Sequence, residues 1–151
     1  MKKIILAVVA VLAVILMKPI QANGGVIEVY RNHKTTNNRG LSRCKYSLNK
    51  KRKINFKKKK ACKNDAVKSV VLLGGHDGIK KGTRIRLFDS PKGKKNDDWL
   101  EIKVLRDIPA WTRFHLPTLH MSYKGHFLKV KYHKKNGLNG KVSRMEILPP
   151  K

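Results

Sequence analysis

Acid is scarce in this chain. Its 151 residues hold 9 Asp+Glu against 36 Lys+Arg, a formal net charge of +27 at pH 7. A hard-cation site needs several oxygen ligands, usually including carboxylates, and few are on offer. Aromatic residues make up only 7% of the chain and cysteines number two. The longest apolar run, Ile4 to Met17, is 14 residues, short of the about 20 that a membrane-spanning helix needs. No long stretch of residues 23–151 has helical periodicity with caps. There is no nucleophile elbow, P-loop or dinucleotide fingerprint, and no His-Glu-x-x-His spacing among the six histidines.

What is present begins with an export pattern. Lys2 and Lys3 precede the apolar run, which Lys18, Pro19 and a small residue, Ala22, follow. A charged start, a short apolar middle and a small residue at the end mark a secretory signal over residues 1–22. Without its three lysines, 33 basic residues remain against 9 acidic ones, a net +24 over residues 23–151. Solubility alone asks for a net charge of about 2–8 on a small domain. The excess points to polyanions. In a secreted or periplasmic setting, Cys44 and Cys62 are expected to pair. The 18-residue separation is worth about 3 kcal/mol in a chain-entropy treatment.

Residues 23–151 are expected to form one domain dominated by strands. Strands are predicted at Val26–Tyr30, Val67–Leu73, Arg84–Phe88, Leu100–Leu105, Phe127–His133 and Val142–Leu148. Alternation of apolar and polar residues, as in Arg84-Ile85-Arg86-Leu87, marks strands with one face buried. Asp77-Gly78, Ser90-Pro91, Asn136-Gly137 and Asn139-Gly140 supply turns. Asn96-Asp97-Asp98 reads as a further turn. An internal repeat adds order. The stretch from Asn64 to Leu73 aligns with that from Asn139 to Leu148, and Ile27-Glu28-Val29-Tyr30 echoes Ile85-Arg86-Leu87-Phe88. Two related halves suggest two similar β motifs about a shared core.

Leu87-Phe88-Asp89, Val29-Tyr30-Arg31 and the two Asn-led stretches carry a resemblance to βγ-crystallin-type domains. The resemblance implies an antiparallel sandwich of two Greek-key motifs, at about 26–73 and 84–148. It also brings calcium into question. The family's fifth-position Ser/Thr ligand corresponds to Lys68 in the first stretch, which cannot coordinate a cation, and to Ser143 in the second. Asn139 and Ser143 are the residues at which calcium would be tested; otherwise no cofactor is expected.

The densest chemical signal is a basic tract. Lys50, Lys51, Arg52, Lys53, Lys57, Lys58, Lys59 and Lys60 place eight cations in eleven positions. The tract lies between the cysteines, so a disulfide would pin it, and Ile54 and Phe56 could dock it. Lysine predominates over arginine, which suits attraction to phosphate, sulfate or carboxylate more than base reading. Tyr46, Phe56, Trp99 and Trp111 are read as core aromatics. The resulting expectation is a non-enzymatic exported module that engages an anionic glycan, lipopolysaccharide, nucleic acid or membrane headgroups through lysine-rich loops. It would have no integral membrane association once the signal is cleaved. Two alternatives stay open: a secreted inhibitor or toxin with a protein target, and a small basic nuclease, for which His115 and His120 are the probes.

Overall fold

The computed structural model describes residues 24–31, 44–58, 62 and 64–151. The expected signal, Lys59 and Lys60 lie outside the described residues. There are ten strands and no α-helix among the described residues. They are β1 (Val26–Tyr30), β2 (Cys44–Ser47), β3 (Arg52–Asn55), β4 (Ser69–Leu73), β5 (Arg84–Phe88), β6 (Trp99–Val104), β7 (Arg113–Leu116), β8 (Tyr123–Lys124), β9 (Leu128–His133) and β10 (Arg144–Leu148). All pairings are antiparallel.

The strands form two sheets. The smaller runs β2-β1-β4-β7 and the larger β3-β10-β5-β6-β9-β8. The third strand of each half therefore lies in the other half's sheet: β3 joins β10, and β7 joins β4. The β8–β9 hairpin is an addition to the second half. One apolar cluster takes the inward residues of both sheets, including Ile27, Val70 and Leu72 from one and Ile85, Leu100, Ile102 and Met145 from the other. Each side chain fully buried in such a cluster contributes about 1.5–3 kcal/mol, and together they oppose the self-repulsion of the surface.

The sequence repeat has a spatial counterpart. Lys68 N–H donates to Tyr30 O at 2.8 Å, and at the matching place Ser143 N–H donates to Phe88 O at 2.9 Å. The two closing stretches also bond to each other: Asp65 N–H to Val142 O at 3.3 Å, and Gly140 N–H to Val67 O at 2.8 Å. Asp65 and Gly140 both hold positive φ, 55° and 76°. Asp tolerates that conformation better than most residues and Gly adopts it freely.

The two sheets differ on their outer faces. On the smaller sheet, Glu28, Tyr30, Ser69 and Val71 are buried although they point away from the shared core. The Glu28 carboxylate accepts the Tyr30 hydroxyl and pairs with Lys45 at 2.7 Å. On the larger sheet, β9 alternates buried Leu128 and Val130 with exposed Lys129 and Lys131. That face is open to water, and charge collects there.

Candidate functional site: a cationic sheet face

Pairing register sets the chemistry of the open face. Across the middle, Lys53, Glu146, Arg86, Glu101 and Lys131 stand side by side on β3, β10, β5, β6 and β9. Their charges alternate in sign. Arg86 Nε reaches Glu101 at 2.6 Å, and Arg144 Nη2 reaches Glu146 at 2.7 Å. This row is an ordinary set of favourable cross-strand pairs.

One row closer to the β5 N-terminus, the pattern fails. Arg84 pairs in register with Lys103, Lys103 with Lys129, and Lys129 with Lys124. Four cations thus stand on four adjacent strands with no acid between them. Adjacent strands are about 4.8 Å apart, so the row spans about 14 Å. Like charges directly opposite are destabilising. At about 5 Å in water each of the three contacts costs about 0.8 kcal/mol before screening. Neither Arg84 nor the three lysines has an acidic partner among the described residues. The core below is indifferent to their charge. An anion laid along the row would remove the repulsion.

The third row is closed over. Phe88, 2% exposed, sits between Arg144 and Trp99 in register. Arg144 Nη1 donates to Pro91 O at 3.4 Å, tying down the hairpin between β5 and β6. Trp99 stacks on His133 with centroids 5.9 Å apart, and the ammonium groups of Lys95 and Lys131 lie 5.4 and 5.7 Å from its ring. Trp99 is therefore a half-buried platform among cations rather than a core residue.

The basic tract divides. Arg52 and Lys53 lie on β3, an edge strand, while Lys57 and Lys58 lie in a 3-10 turn, and all four are exposed with Lys50 and Lys51. Ile54 and Phe56 are buried at 5% and 1% and anchor it. Cys44 and Cys62 form a disulfide with Cα atoms 5.8 Å apart. The tract is thus docked and partly paired to β10. Its lysines also guard a sheet edge against pairing with another chain. Of these residues, Lys53 falls on the open face and Lys51 borders Arg84 in a cleft with Leu148.

A second concentration of charge is acidic. Asp65, Asp89 and Asp97 border an open cleft of about 440 Å³ with Ser143, Lys57 and Lys141. Asp89, Asp97 and Asp98 oxygens approach within 4.8 Å of one another. Burial, then Asp97, pushes the Asp89 carboxyl above its ordinary value, while Lys141 pulls it back. Ser143 Oγ donates to Asp65 Oδ1 at 3.0 Å. Asn139 does not share this cleft: its Oδ1 accepts from Leu119 N–H at 2.9 Å and its Nδ2 donates to Thr118 at 3.0 Å. As a calcium site the set fits poorly. Asp65, Asp97 and Asp98 already accept hydrogen bonds from the chain itself, and Lys57 and Lys141 supply positive charge.

Asp98 is a hub that the sequence reading placed in a turn. It is 0% exposed. Oδ1 accepts from Tyr132 Oη at 3.0 Å and Lys135 N–H at 2.8 Å; Oδ2 accepts from Asn136 N–H at 2.8 Å and Gly137 N–H at 3.1 Å. Burial pushes this carboxyl up, but the three backbone donors and the Tyr132 hydroxyl outweigh it and hold it below its ordinary value. Tyr132 is pushed up to about 12 by burial and by Asp98, so it remains a donor. His120 holds the other side of the loop: its Nε2 accepts from Leu138 N–H at 2.8 Å and Asn139 N–H at 3.0 Å. His115 lies on β7, in the other sheet, where burial and then Arg113 push its imidazole below the ordinary value. Of the two histidines read as nuclease probes, His120 is thus occupied as a structural acceptor.

No family model matches the chain, and no curated protein or solved structure matches it.

Proposed function

We propose that this protein is an exported, non-enzymatic binding module for anionic polymers or surfaces, and that the outer face of the six-stranded sheet is its contact surface. One observation carries the reading: Arg84, Lys103, Lys129 and Lys124 stand in register on adjacent strands with no acid between them. The arrangement opposes folding and gains from an anionic ligand. Lys53 and Lys131 extend the field, and Trp99 offers a half-buried ring beside it. A rigid sheet presents these charges without a backbone ordering cost on binding. The basic tract is the edge of this surface rather than its centre.

Export, to a secreted or periplasmic site, is part of the proposal. The Cys44–Cys62 disulfide fits an oxidising compartment. No helix among the described residues is long and apolar enough to cross a membrane. We also read the fold as two Greek keys of βγ-crystallin type. The exchanged third strands and the reciprocal bonds between the Asn-led stretches support that reading. The acidic cleft is read as a structural junction between the halves rather than a calcium site.

The test is heparin retention. A variant with Arg84, Lys103, Lys124 and Lys129 changed to Gln is expected to elute at much lower salt than the parent. A variant with Lys50, Arg52, Lys57 and Lys58 changed to Gln is expected to shift less. Equal shifts would mean that total charge, not the face, governs binding.

A further inference from the structure

Trp111 is the most exposed large apolar side chain among the described residues, at 77%. Single exposed apolar residues are common and need no explanation. This one is different because of its backbone. Trp111 holds φ at +61°, a left-handed conformation that every residue with a Cβ resists and that a bulky one adopts rarely. It is held there firmly. Trp111 N–H donates to Gly75 O at 2.9 Å, and Gly74 N–H donates to Thr112 O at 2.8 Å. The contact is close enough to require glycine opposite: a Cβ on Gly74 would meet Pro109 O at 2.3 Å, and one on Gly78 would meet Ile108 O at 2.2 Å. His76 meets the indole edge-on, centroids 5.9 Å apart. The fold thus spends strain on a tight turn, Pro109 to Thr112, that lifts an indole into water. Glycine would close the same turn without strain.

The turn lies at the same end of the sandwich as the four-cation row. Ile79 bridges Ile108, and Gly82 N–H donates to Val104 O at 2.9 Å just ahead of Arg84. Arg113, exposed, follows the turn directly on β7, and Lys80 and Lys81 flank the bridge, with Lys80 paired to Asp107 at 3.4 Å. Tyr123, the second exposed large apolar residue, adjoins Lys124 at the end of the row. One end of the molecule therefore combines a rigid protruding indole with a dense set of cations.

Indoles favour the bilayer interface, where an apolar body and an N–H are both accommodated. Cations near an anionic leaflet are attracted over about a Debye length. We propose that this end docks on an anionic phospholipid bilayer, the row facing headgroup phosphates and the Trp111 indole inserting among them. The inference rests on the cationic-face reading and names its target. A soluble anionic glycan would satisfy the row but would offer the indole a sugar face to stack on, not an apolar layer to enter.

The experiment uses the oxidised protein carrying Trp99→Phe, so that emission reports Trp111. Vesicles of phosphatidylglycerol with phosphatidylcholine should shift the emission to the blue and protect it from acrylamide, and pure phosphatidylcholine should do neither. Trp111→Gly should lower partitioning by about tenfold or more, the equivalent of about 1.4 kcal/mol, while leaving heparin affinity unchanged. Its melting temperature should equal or exceed the parent's, because the turn loses its strain. Emission unmoved by anionic vesicles, with heparin binding intact, would overturn the bilayer and leave the cationic face standing. Trp111-dependent binding to a soluble neutral glycan or to a single protein, without vesicle binding, would overturn it in favour of that partner. Loss of both heparin and vesicle binding would overturn the cationic reading as well.

Discussion

Removing the Asp98 carboxylate should cost more stability than any surface change of the same size. The residue is fully buried and accepts four hydrogen bonds, three of them from consecutive backbone N–H groups. Hydrogen bonds to a charged group contribute about 1.5–3 kcal/mol each, but not additively. Lys135 and Asn136 are exposed, and their N–H groups can turn to water when the carboxylate goes. Tyr132 and Gly137 are less able to. The net cost of Asp98→Ala is therefore about 3–4 kcal/mol, and that of Asp98→Asn, which keeps one acceptor, about 2–3 kcal/mol. With a urea m-value of about 1.5–2 kcal/mol/M, the Asp98→Asn midpoint should fall by more than about 1 M with m unchanged. The pH dependence has a definite sign. The folded carboxyl lies below its ordinary value. Its stabilisation is therefore complete above the unfolded value of about 3.9. It is lost as pH falls through the lowered folded value. The gap between parent and Asp98→Asn should be constant near neutrality and shrink in acid. Equal urea midpoints at pH 7, or a gap that widens below pH 4, would refute the hub.

Other outcomes follow from the same geometry. Lys103→Glu places an acid between Arg84 and Lys129, so thermal unfolding at low salt should show a gain of about 0.5–1 kcal/mol while heparin affinity drops. Replacing Cys44 and Cys62 with Ala should cost about 3 kcal/mol by chemical denaturation, and reduction of the parent should match it. His120→Ala leaves the Leu138 and Asn139 N–H groups without their acceptor, a loss of about 1–3 kcal/mol that urea titration reads. Calcium at millimolar concentration should leave the melting temperature unchanged; a rise of several degrees would make the Asp65–Ser143 cleft a metal site.

The strands with strong alternation were legible from sequence. Val26–Tyr30 and Arg84–Phe88 match β1 and β5 to the residue, and the predicted later strands overlap β4, β6, β9 and β10. β2, β3, β7 and β8 were not predicted. Two to four residues each, they are too short for a period of two to stand out, and the β3 pattern is masked by the cations around it. The third-strand exchange was hidden for the same reason, since β3 and β7 are the strands exchanged. The repeat was visible because its turns need particular residues at Asp65 and Gly140. The charged row was beyond sequence reasoning. Arg84, Lys103, Lys124 and Lys129 are scattered along the chain, and only register sets them side by side. The dense tract stands out by its local count, whereas charge repulsion acts through space. Asp98 looked like a turn acid because its partners lie 34 or more residues away. Trp111 was assigned to the core on residue type alone, and it is the most exposed of the large apolar side chains described.

The cationic face is tested most directly by the salt dependence of binding to a short duplex DNA, used as a plain polyanion. Each phosphate neutralised contributes about −0.9 to the slope of log K against log salt. The parent should show a steep slope. The variant with Arg84, Lys103, Lys124 and Lys129 changed to Gln should lose about 3–4 units of it, with its melting temperature raised by relief of the repulsion. A variant that keeps the parent's slope and affinity, or a parent whose binding is insensitive to salt, would contradict the account.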